Sequence, residues 1–136
     1  MDIRIIPIRG SGGLSFLEGE RDIPFAVKRV YYIHGQAAGA HRGFHAHRTL
    51  EQFLFCPHGS VRVLLDDGRE RGEVLLDAPD KGLYLPPEYW HEMIWMEEDS
   101  VLCVLASDYY DEGDYIREYG DFMTAHTCRE GKSGTK

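Results

Sequence analysis

Positive charge is scarce in this sequence: 15 Lys and Arg residues stand against 23 Asp and Glu residues, and the formal net charge is −8. A protein that binds duplex nucleic acid neutralises phosphates with Lys and Arg. No basic run occurs in the sequence, so we do not expect a nucleic-acid partner. A local basic pocket within an acidic protein is still compatible with an anionic small molecule.

Long apolar segments and paired cysteines are also missing. No segment approaches the roughly 20 apolar residues of a membrane span, and residues 1–7 lack the apolar region of a signal peptide. The three cysteines, Cys56, Cys103 and Cys128, are odd in number and widely spaced, which is typical of reduced thiols rather than of a disulfide framework. We therefore expect a cytoplasmic protein that does not bind a membrane.

What is present is the composition of an ordinary globular protein. The chain has 136 residues, of which 43% are hydrophobic and 28% are charged, and both the length and the composition are typical of one folded domain. We predict a single domain over residues 1–130 and a flexible tail over residues 131–136.

Short apolar segments separated by turn residues predict a mostly β structure. We count about nine to eleven strands, in segments 3–8, 14–17, 27–33, 45–55, 61–65, 74–76, 83–85, 90–96 and 101–106, at the nearly regular spacing of a sandwich or barrel. Residues 66–68 predict a hairpin turn, and residues 35–43 a loop. Asp111 predicts the N-cap of a short helix that runs through Tyr115 and Tyr119.

Histidines mark the candidate site. His45, His47 and Glu51 all stand at odd positions, so on one continuous strand their side chains would share a face. A third histidine, His91, follows the Pro86-Pro87 pair. Three imidazoles and a carboxylate are a suitable ligand set for a divalent metal. From spacing alone, a metal-dependent enzyme is therefore the leading interpretation, and an exposed histidine pair on a strand edge is the alternative.

Both stretches resemble the two cupin motifs. The matching positions are Gly39, His45, His47 and Glu51 in the first motif, and Pro86 and His91 in the second. Two positions depart from the pattern, because Gly59 falls one residue late and Glu88 stands where a glycine is usual. The resemblance implies a cupin-type β-barrel, or jelly roll.

A closer resemblance covers almost the whole chain. The sequence resembles the bacterial TDP-4-keto-6-deoxyglucose 3,4-ketoisomerases, also described as WxcM-like cupins, in segments 23–25, 28–33, 42–47, 51–52, 59–61, 65–68, 82–84, 90–93, 104–107, 110–112 and 114–117. The resemblance implies an all-β cupin fold with a short C-terminal helix and an isomerase that needs no metal or other cofactor. It also implies a cytoplasmic homodimer that exchanges N-terminal strands.

The reaction implied by this resemblance moves a ketone from C4 to C3 of the hexose, which requires a base whose pKa lies near the working pH. Histidine meets this requirement without tuning. The resemblance implies that His45 is the base at C3 and that His47 is a proton shuttle or oxyanion partner, although spacing alone leaves these two roles open. A non-catalytic module that binds sugar nucleotides is a further alternative.

Substrate-binding residues follow from position and from the same resemblance. Arg42 is expected to bind the diphosphate, because a guanidinium forms paired hydrogen bonds with phosphate oxygens. Tyr31 is expected to hydrogen-bond the sugar, whereas Tyr84 and Trp90 would stack against the sugar or thymine. His91 would relay a proton to C4, which favours a galacto product. The family often has an arginine before the glycine near residue 13, and Arg9 is the available substitute.

Overall fold

The computed structural model describes the backbone of residues 1–134 and the side chains of residues 1–127. The strands are β1 (Arg4–Pro7), β2 (Arg9–Ser11), β3 (Leu14–Phe16), β4 (Arg29–Ile33), β5 (His41–His47), β6 (Gln52–His58), β7 (Val61–Asp66), β8 (Arg71–Leu76), β9 (Lys81–Leu85), β10 (Trp90–Trp95), β11 (Val101–Ala106) and β12 (Tyr115–Ile116). A 3₁₀ turn at Glu112–Asp114 precedes β12, and helix α1 (Tyr119–Gly134) follows it. Within the residues that the structure describes, none of the helices has the length and hydrophobicity needed to span a bilayer.

Two five-stranded antiparallel sheets form the body of the protein. The first sheet has the order β1-β9-β6-β11-β4 and the second has the order β12-β5-β10-β7-β8. A small hairpin of β2 and β3 stands apart from both sheets. The predicted all-β jelly roll is confirmed, although among the described strands the two sheets do not join into one closed, hydrogen-bonded barrel.

Alternating side chains from both sheets fill the space between them. In β7, for example, Val61, Val63 and Leu65 are almost completely buried, whereas Arg62 and Leu64 face outward. The interior cluster consists of Leu54, Cys56, Val61, Val63, Leu65, Leu76, Leu83, Leu85, Met93, Trp95, Leu102 and Val104. Burial of such side chains contributes about 1.5–3 kcal/mol each, so this interior is the main source of stability.

The outer faces of the sheets have separate apolar covers. N-terminal residues Ile8, Ile23 and Phe25 pack with Phe53 and Leu105 on the outer face of the first sheet. The C-terminal helix packs Phe122 with Ala46, Trp90 and Ile116 on the outer face of the second sheet. A residue that packs in the interior cluster therefore lies on the inner face of its sheet, and a residue that packs in one of the two covers lies on the outer face.

The predicted hairpin turn at residues 66–68 is confirmed, and it joins β7 to β8. The Asp66 carboxylate accepts a hydrogen bond from the Gly68 backbone N–H at 2.8 Å. Asp67 in turn accepts from the backbone N–H groups of Arg69 and Glu70, both at 2.8 Å. Such side-chain acceptors are the reason that Asp favours turns.

Segment 45–55 forms two strands, because β5 ends at His47 and β6 begins at Gln52. Thr49 and Leu50 lie in the bend between them, and both donate backbone hydrogen bonds to Asp114, at 2.9 and 3.1 Å. The predicted loop at 35–43 is shorter than expected, since β5 already begins at His41.

The helix predicted to run from Asp111 through Tyr119 is wrong. Asp111 does act as an N-cap, and it accepts a hydrogen bond from Gly113, but it caps only the 3₁₀ turn. Tyr115 is extended, with φ −82° and ψ 140°, because the backbone of residues 115–116 pairs with β5. Helix α1 begins at Tyr119 and extends into the segment 131–136, of which residues 135 and 136 lie outside the described part.

Candidate active site

Three histidines from two adjacent strands meet at the interior face of the second sheet. His45 and His91 are directly opposite each other in the β5–β10 register. The ring centroids lie 5.0 Å apart for His45–His47, 4.5 Å for His45–His91 and 6.1 Å for His47–His91. One ring nitrogen from each lies within 4.8 Å of the others. We call these three residues the histidine cluster.

A β-bulge sets the direction of the side chains in β5. The register pairs His45 with His91 and Gly43 with Glu92, so Phe44 has no partner across the ladder. Gly43 has φ +96° and Phe44 has φ +60°, and a Cβ on Gly43 would lie 2.9 Å from the His91 carbonyl oxygen. The tight approach of β5 and β10 at this point therefore depends on glycine.

The bulge also brings Arg42 to the same face as the histidine cluster. Strict alternation would place residue 42 on the face opposite His45. The extra residue shifts the alternation by one, and Arg42 is opposite Met93, which belongs to the interior cluster. Arg42 is an exposed residue, so its guanidinium is accessible to an anionic ligand.

Hydrogen bonds to backbone carbonyls define the tautomers of two histidines. His45 donates from Nδ1 to the Gly43 oxygen, and His91 donates from Nδ1 to the Tyr89 oxygen, both at 3.1 Å. A carbonyl only accepts, so in the neutral rings Nε2 carries the lone pair. The Nε2 atom of His45 and both ring nitrogens of His47 are buried without a hydrogen-bond partner.

Burial keeps all three imidazoles neutral at pH 7. It lowers the pKa of His45 below 6.5, and it lowers the pKa of His91 well below that value. For His47, burial and the neighbouring His45 outweigh the opposing effect of Asp114, and the pKa falls to about 4. A neutral imidazole with an unpaired nitrogen is able to accept a proton.

Asp114 lies behind His47 and was not singled out by the sequence. Its Oδ2 is 3.6 Å from His47 Nδ1, which is too long for a hydrogen bond. The carboxylate accepts instead from the backbone N–H and hydroxyl of Thr49 and from the backbone N–H of Leu50. Nothing local in the sequence shows that residue 114 packs beside residue 47.

Polar residues of the first sheet face the interior as well. Gln52 donates from its amide to the Tyr31 hydroxyl at 2.9 Å. Burial raises the pKa of Tyr31 to about 12, so the phenol remains protonated. Arg29 has a buried Nε without a partner. The structure thus places the predicted residue Tyr31 on the interior face, together with Gln52 and Arg29, which the sequence did not identify as site residues.

Glu51 does not join the histidine cluster. The bend at 48–51 separates β5 from β6, so alternation along one continuous strand does not apply. Glu51 accepts a 2.6 Å hydrogen bond from Tyr84, and Tyr84 lies opposite Phe53 on the outer face of the first sheet. The prediction that Glu51 shares a face with His45 and His47 is therefore wrong, and the interior position belongs to Gln52.

Two predicted stacking residues also lie on outer faces of the sheets, whereas the histidines face the interior. Tyr84 packs near Phe25, with ring centroids 6.4 Å apart. Trp90 lies on the outer face of the second sheet, where its indole N–H donates to Glu92 at 2.9 Å and its ring packs against Phe122. Their stacking against a substrate stays a prediction, and it gains no support from these positions. The suggested substitute Arg9 is paired with Glu18 and Asp22.

A groove of about 630 Å³ lies on the outer face of the second sheet. It is lined by Phe44, Leu64, Arg71, Trp90, Glu92 and Tyr119, among others. A smaller cavity of about 30 Å³ contacts His47, Arg29 and Tyr115. The larger groove is on the opposite side of the sheet from the histidine cluster, so size alone does not identify the reactive site.

Residues 1–127 match the family model described as "FdtA: WxcM-like, C-terminal". The chain belongs to this family. A relative from Aneurinibacillus thermoaerophilus, TDP-4-oxo-6-deoxy-alpha-D-glucose-3,4-oxoisomerase, is 54% identical over 119 residues, which cover 88% of this chain and 84% of the relative.

Solved structures of similar sequence have the same fold. The sugar 3,4-ketoisomerase QdtA from Thermoanaerobacterium thermosaccharolyticum, in complex with TDP, is 40% identical, with a TM-score of 0.89 over 93% of this chain and 96% of that one. The TDP-quinovose 3,4-ketoisomerase WlaRB from Campylobacter jejuni is 38% identical, with a TM-score of 0.85 over 90% and 98% of the two chains. The resemblance drawn from the sequence is thereby confirmed.

Proposed function

We propose that this protein is an isomerase that converts TDP-4-keto-6-deoxyglucose to a TDP-3-keto-6-deoxyhexose. The observation that carries the proposal is the cluster of neutral, partly unpaired histidines inside a fold shared with TDP-sugar 3,4-ketoisomerases. The relative that is 54% identical bears the name of this activity. Both lines of support concern the same residues, since the family match extends over residues 1–127.

The proposed chemistry is a proton transfer across the C3–C4 bond. The C4 ketone makes the C3 proton acidic, and Nε2 of His45 accepts that proton. The electron pair of the C3–H bond forms the C3–C4 double bond of an enediolate. The proton on His45 is then returned to C4 through the histidine cluster, with His47 and His91 as relays, while O3 becomes the ketone and its proton is transferred to O4. Atoms and charge balance without an oxidant or a second substrate.

Arg42 is proposed to bind the diphosphate of the nucleotide. Its exposed guanidinium lies on the interior-facing side of β5, three residues before His45. Charge-assisted hydrogen bonds to phosphate are about twice as strong as neutral ones. This contact would hold the sugar against the histidine cluster.

The product is proposed to have the galacto configuration at C4. His91 is buried beside His45, with ring centroids 4.5 Å apart. A histidine can accept and donate a proton, whereas an arginine at this position would only donate hydrogen bonds. NMR of the product before and after His91→Arg tests this proposal, and a gluco product from the unmodified protein would contradict it.

Metal-dependent chemistry at the same cluster is the competing function. Three imidazoles can hold zinc in proteins, and His45, His47 and His91 are the residues that would do so here. The fourth ligand expected of a metallocupin, Glu51, is bound to Tyr84 instead. We expect exhaustive chelation to leave turnover unchanged. Loss of activity that one divalent ion restores, with that ion found by elemental analysis, would favour the metallocupin.

The decisive experiment is incubation with TDP-4-keto-6-deoxyglucose followed by NMR of the product. We expect conversion to the 3-keto isomer, with solvent deuterium at C4 when the reaction runs in D₂O. Binding of the nucleotide sugar without turnover would favour the alternative of a non-catalytic module. The family resemblance further supports a cytoplasmic homodimer with exchanged N-terminal strands.

A further inference from the structure

Gln52 is a buried polar residue at the interior face of the first sheet. It is 2% exposed and lies opposite Leu85 of β9 and Ala106 of β11. Leu85 belongs to the interior cluster, so the Gln52 side chain extends into the space between the two sheets. The histidine cluster faces the same space from the second sheet.

The Gln52 amide has a hydrogen-bond partner at its nitrogen but none at its oxygen. Its Nε2 donates to the Tyr31 hydroxyl at 2.9 Å, which holds the amide in one orientation. Its Oε1 is buried and has no hydrogen-bond partner. Such a buried acceptor is costly to leave unpaired, and most buried polar atoms in native proteins have a partner. We therefore expect a bound ligand to donate a hydrogen bond to the amide oxygen.

The surrounding row of residues gives that ligand a place. Arg29, Ala106 and Gln52 lie side by side across β4, β11 and β6. Ala106 is small, and the two flanking residues are about 10 Å apart at the strand spacing. Arg29 Nε is also buried without a partner. Two unpaired polar atoms, Arg29 Nε and Gln52 Oε1, thus flank the small side chain of Ala106. This arrangement leaves room for a sugar ring and offers polar partners for its hydroxyl groups.

We infer that the Gln52 amide binds the C2 hydroxyl of the hexose and makes the enzyme specific for 2-hydroxylated substrates. The inference rests on the proposed function. A 4-keto-6-deoxyhexose joined to a nucleotide at C1 has only two ring hydroxyls, at C2 and C3. The C3 hydroxyl reacts and becomes a ketone, so it needs groups that exchange protons. An amide exchanges none, and it suits the hydroxyl that the reaction leaves unchanged.

The test compares TDP-4-keto-6-deoxyglucose with its 2-deoxy analogue. A site built to hydrogen-bond a hydroxyl discriminates strongly against the analogue that lacks it. We expect kcat/KM of the unmodified enzyme to be at least about tenfold lower for the analogue. In Gln52→Met, which keeps the length of the side chain and removes the amide, the ratio of the two kcat/KM values should fall to within about twofold of unity. Gln52→Asn, which withdraws the amide by one methylene, should also reduce the ratio and serves if the Met variant does not fold.

A structural role for Gln52 would give a different result. If the variants lose activity equally on both substrates and keep the original ratio, the inference is wrong. It is also wrong if Gln52→Met keeps the ratio for the 2-deoxy analogue but removes the difference in C3 proton exchange between the parent substrate and a 3-deoxy analogue, since the contact would then be to O3. If the unmodified enzyme does not isomerise the parent substrate, the proposed function fails, and calorimetric binding of the same two nucleotide sugars still tests the hydroxyl contact.

Discussion

His45 and His47 differ from surface histidines in that the fold removes them from water and leaves ring nitrogens unpaired. Such groups are suited to accept a proton from carbon. We predict that His45→Asn and His47→Asn each reduce turnover by at least about 100-fold, the usual scale for a general acid–base group, while circular dichroism shows that both variants fold. Near-normal exchange of the C3 proton with solvent in His45→Asn would show that another residue is the base.

Burial of the same rings makes both activity and stability depend on pH. The pKa of His47 is about 4 in the folded protein and roughly 6.5 when unfolded. Between these values the unfolded chain binds more protons, so the free energy of unfolding falls as the pH decreases. The contribution of His47 to the free energy of unfolding is fully present above about pH 6.5. Each unit of pKa shift corresponds to about 1.4 kcal/mol.

We therefore predict that the midpoint of urea unfolding decreases steadily from pH 7 to pH 4, and that His47→Gln weakens this dependence. The acid limb of kcat/KM should lie below pH 6.5, because the free enzyme keeps its histidines neutral until then. An acid limb centred at or above pH 6.5 would contradict the lowered pKa values.

Arg42 can be compared with an arginine on the opposite face of the same sheet. Arg62 is in β7, and its guanidinium is 3.5 Å from Glu73 on the outer side. We predict that Arg42→Ala weakens TDP binding by about tenfold or more, because a charge-assisted hydrogen bond contributes about 1.5–3 kcal/mol. Arg62→Ala should leave TDP affinity within about twofold. Calorimetric titration measures both, and equal affinities of the two variants would place Arg42 outside the phosphate site.

At the scale of the element, the bulge in β5 links backbone geometry to the site. Gly39 and Gly43 both have positive φ, at +88° and +96°, but only Gly43 is crowded by β10. We predict that Gly43→Ala lowers Tm and activity together. Gly39→Ala should lower Tm only, through backbone strain that reduces the free energy of unfolding by about 1–2 kcal/mol. If both variants keep normal turnover, close pairing of β5 with β10 does not position the histidines.

The turn before β10 explains a departure from the cupin motif. Glu88 has φ +68°, a conformation that glycine adopts without strain. Its backbone N–H donates to the His47 carbonyl oxygen at 2.7 Å, so the turn holds the end of β5. Glycine is usual at this position of the cupin motif because the turn requires a left-handed backbone conformation. Glu88 adopts that same conformation here.

At the scale of the whole molecule, the first sheet has an incompletely covered outer face. Val30 and Tyr32 of β4 are 60% and 61% exposed, although both are large and mainly apolar. Strand β1 pairs with β9 in the same chain, and an exchanged strand would make these contacts with a partner. We predict a homodimer at micromolar concentration, measured by light scattering, that Tyr32→Asp weakens. A monomeric mass would contradict this prediction.

The periodicity of the chain was sufficient to predict most of the strands and the hairpin turn, because alternation and turn residues are local properties, but it missed the short strand β2. It failed at residues 115–119, where pairing with β5 overrides the helix start signalled by Asp111. It failed again at Glu51, since a bend ends the alternation that begins at His45. In both places a contact between distant segments decides the local conformation.

For the site, the sequence by itself determined the family and predicted the candidate reacting residues, through motifs that stand close together along the chain. His45, His47 and Arg42 are the site residues predicted in this way. Only the tertiary structure decided which other residues join them. Gln52 and Asp114 have no local signal, and they reach the site because the second half of the fold brings β6, β11 and β12 against β4 and β5. Burial, which sets the proton affinity of the histidines, is likewise a property of the packed sheets.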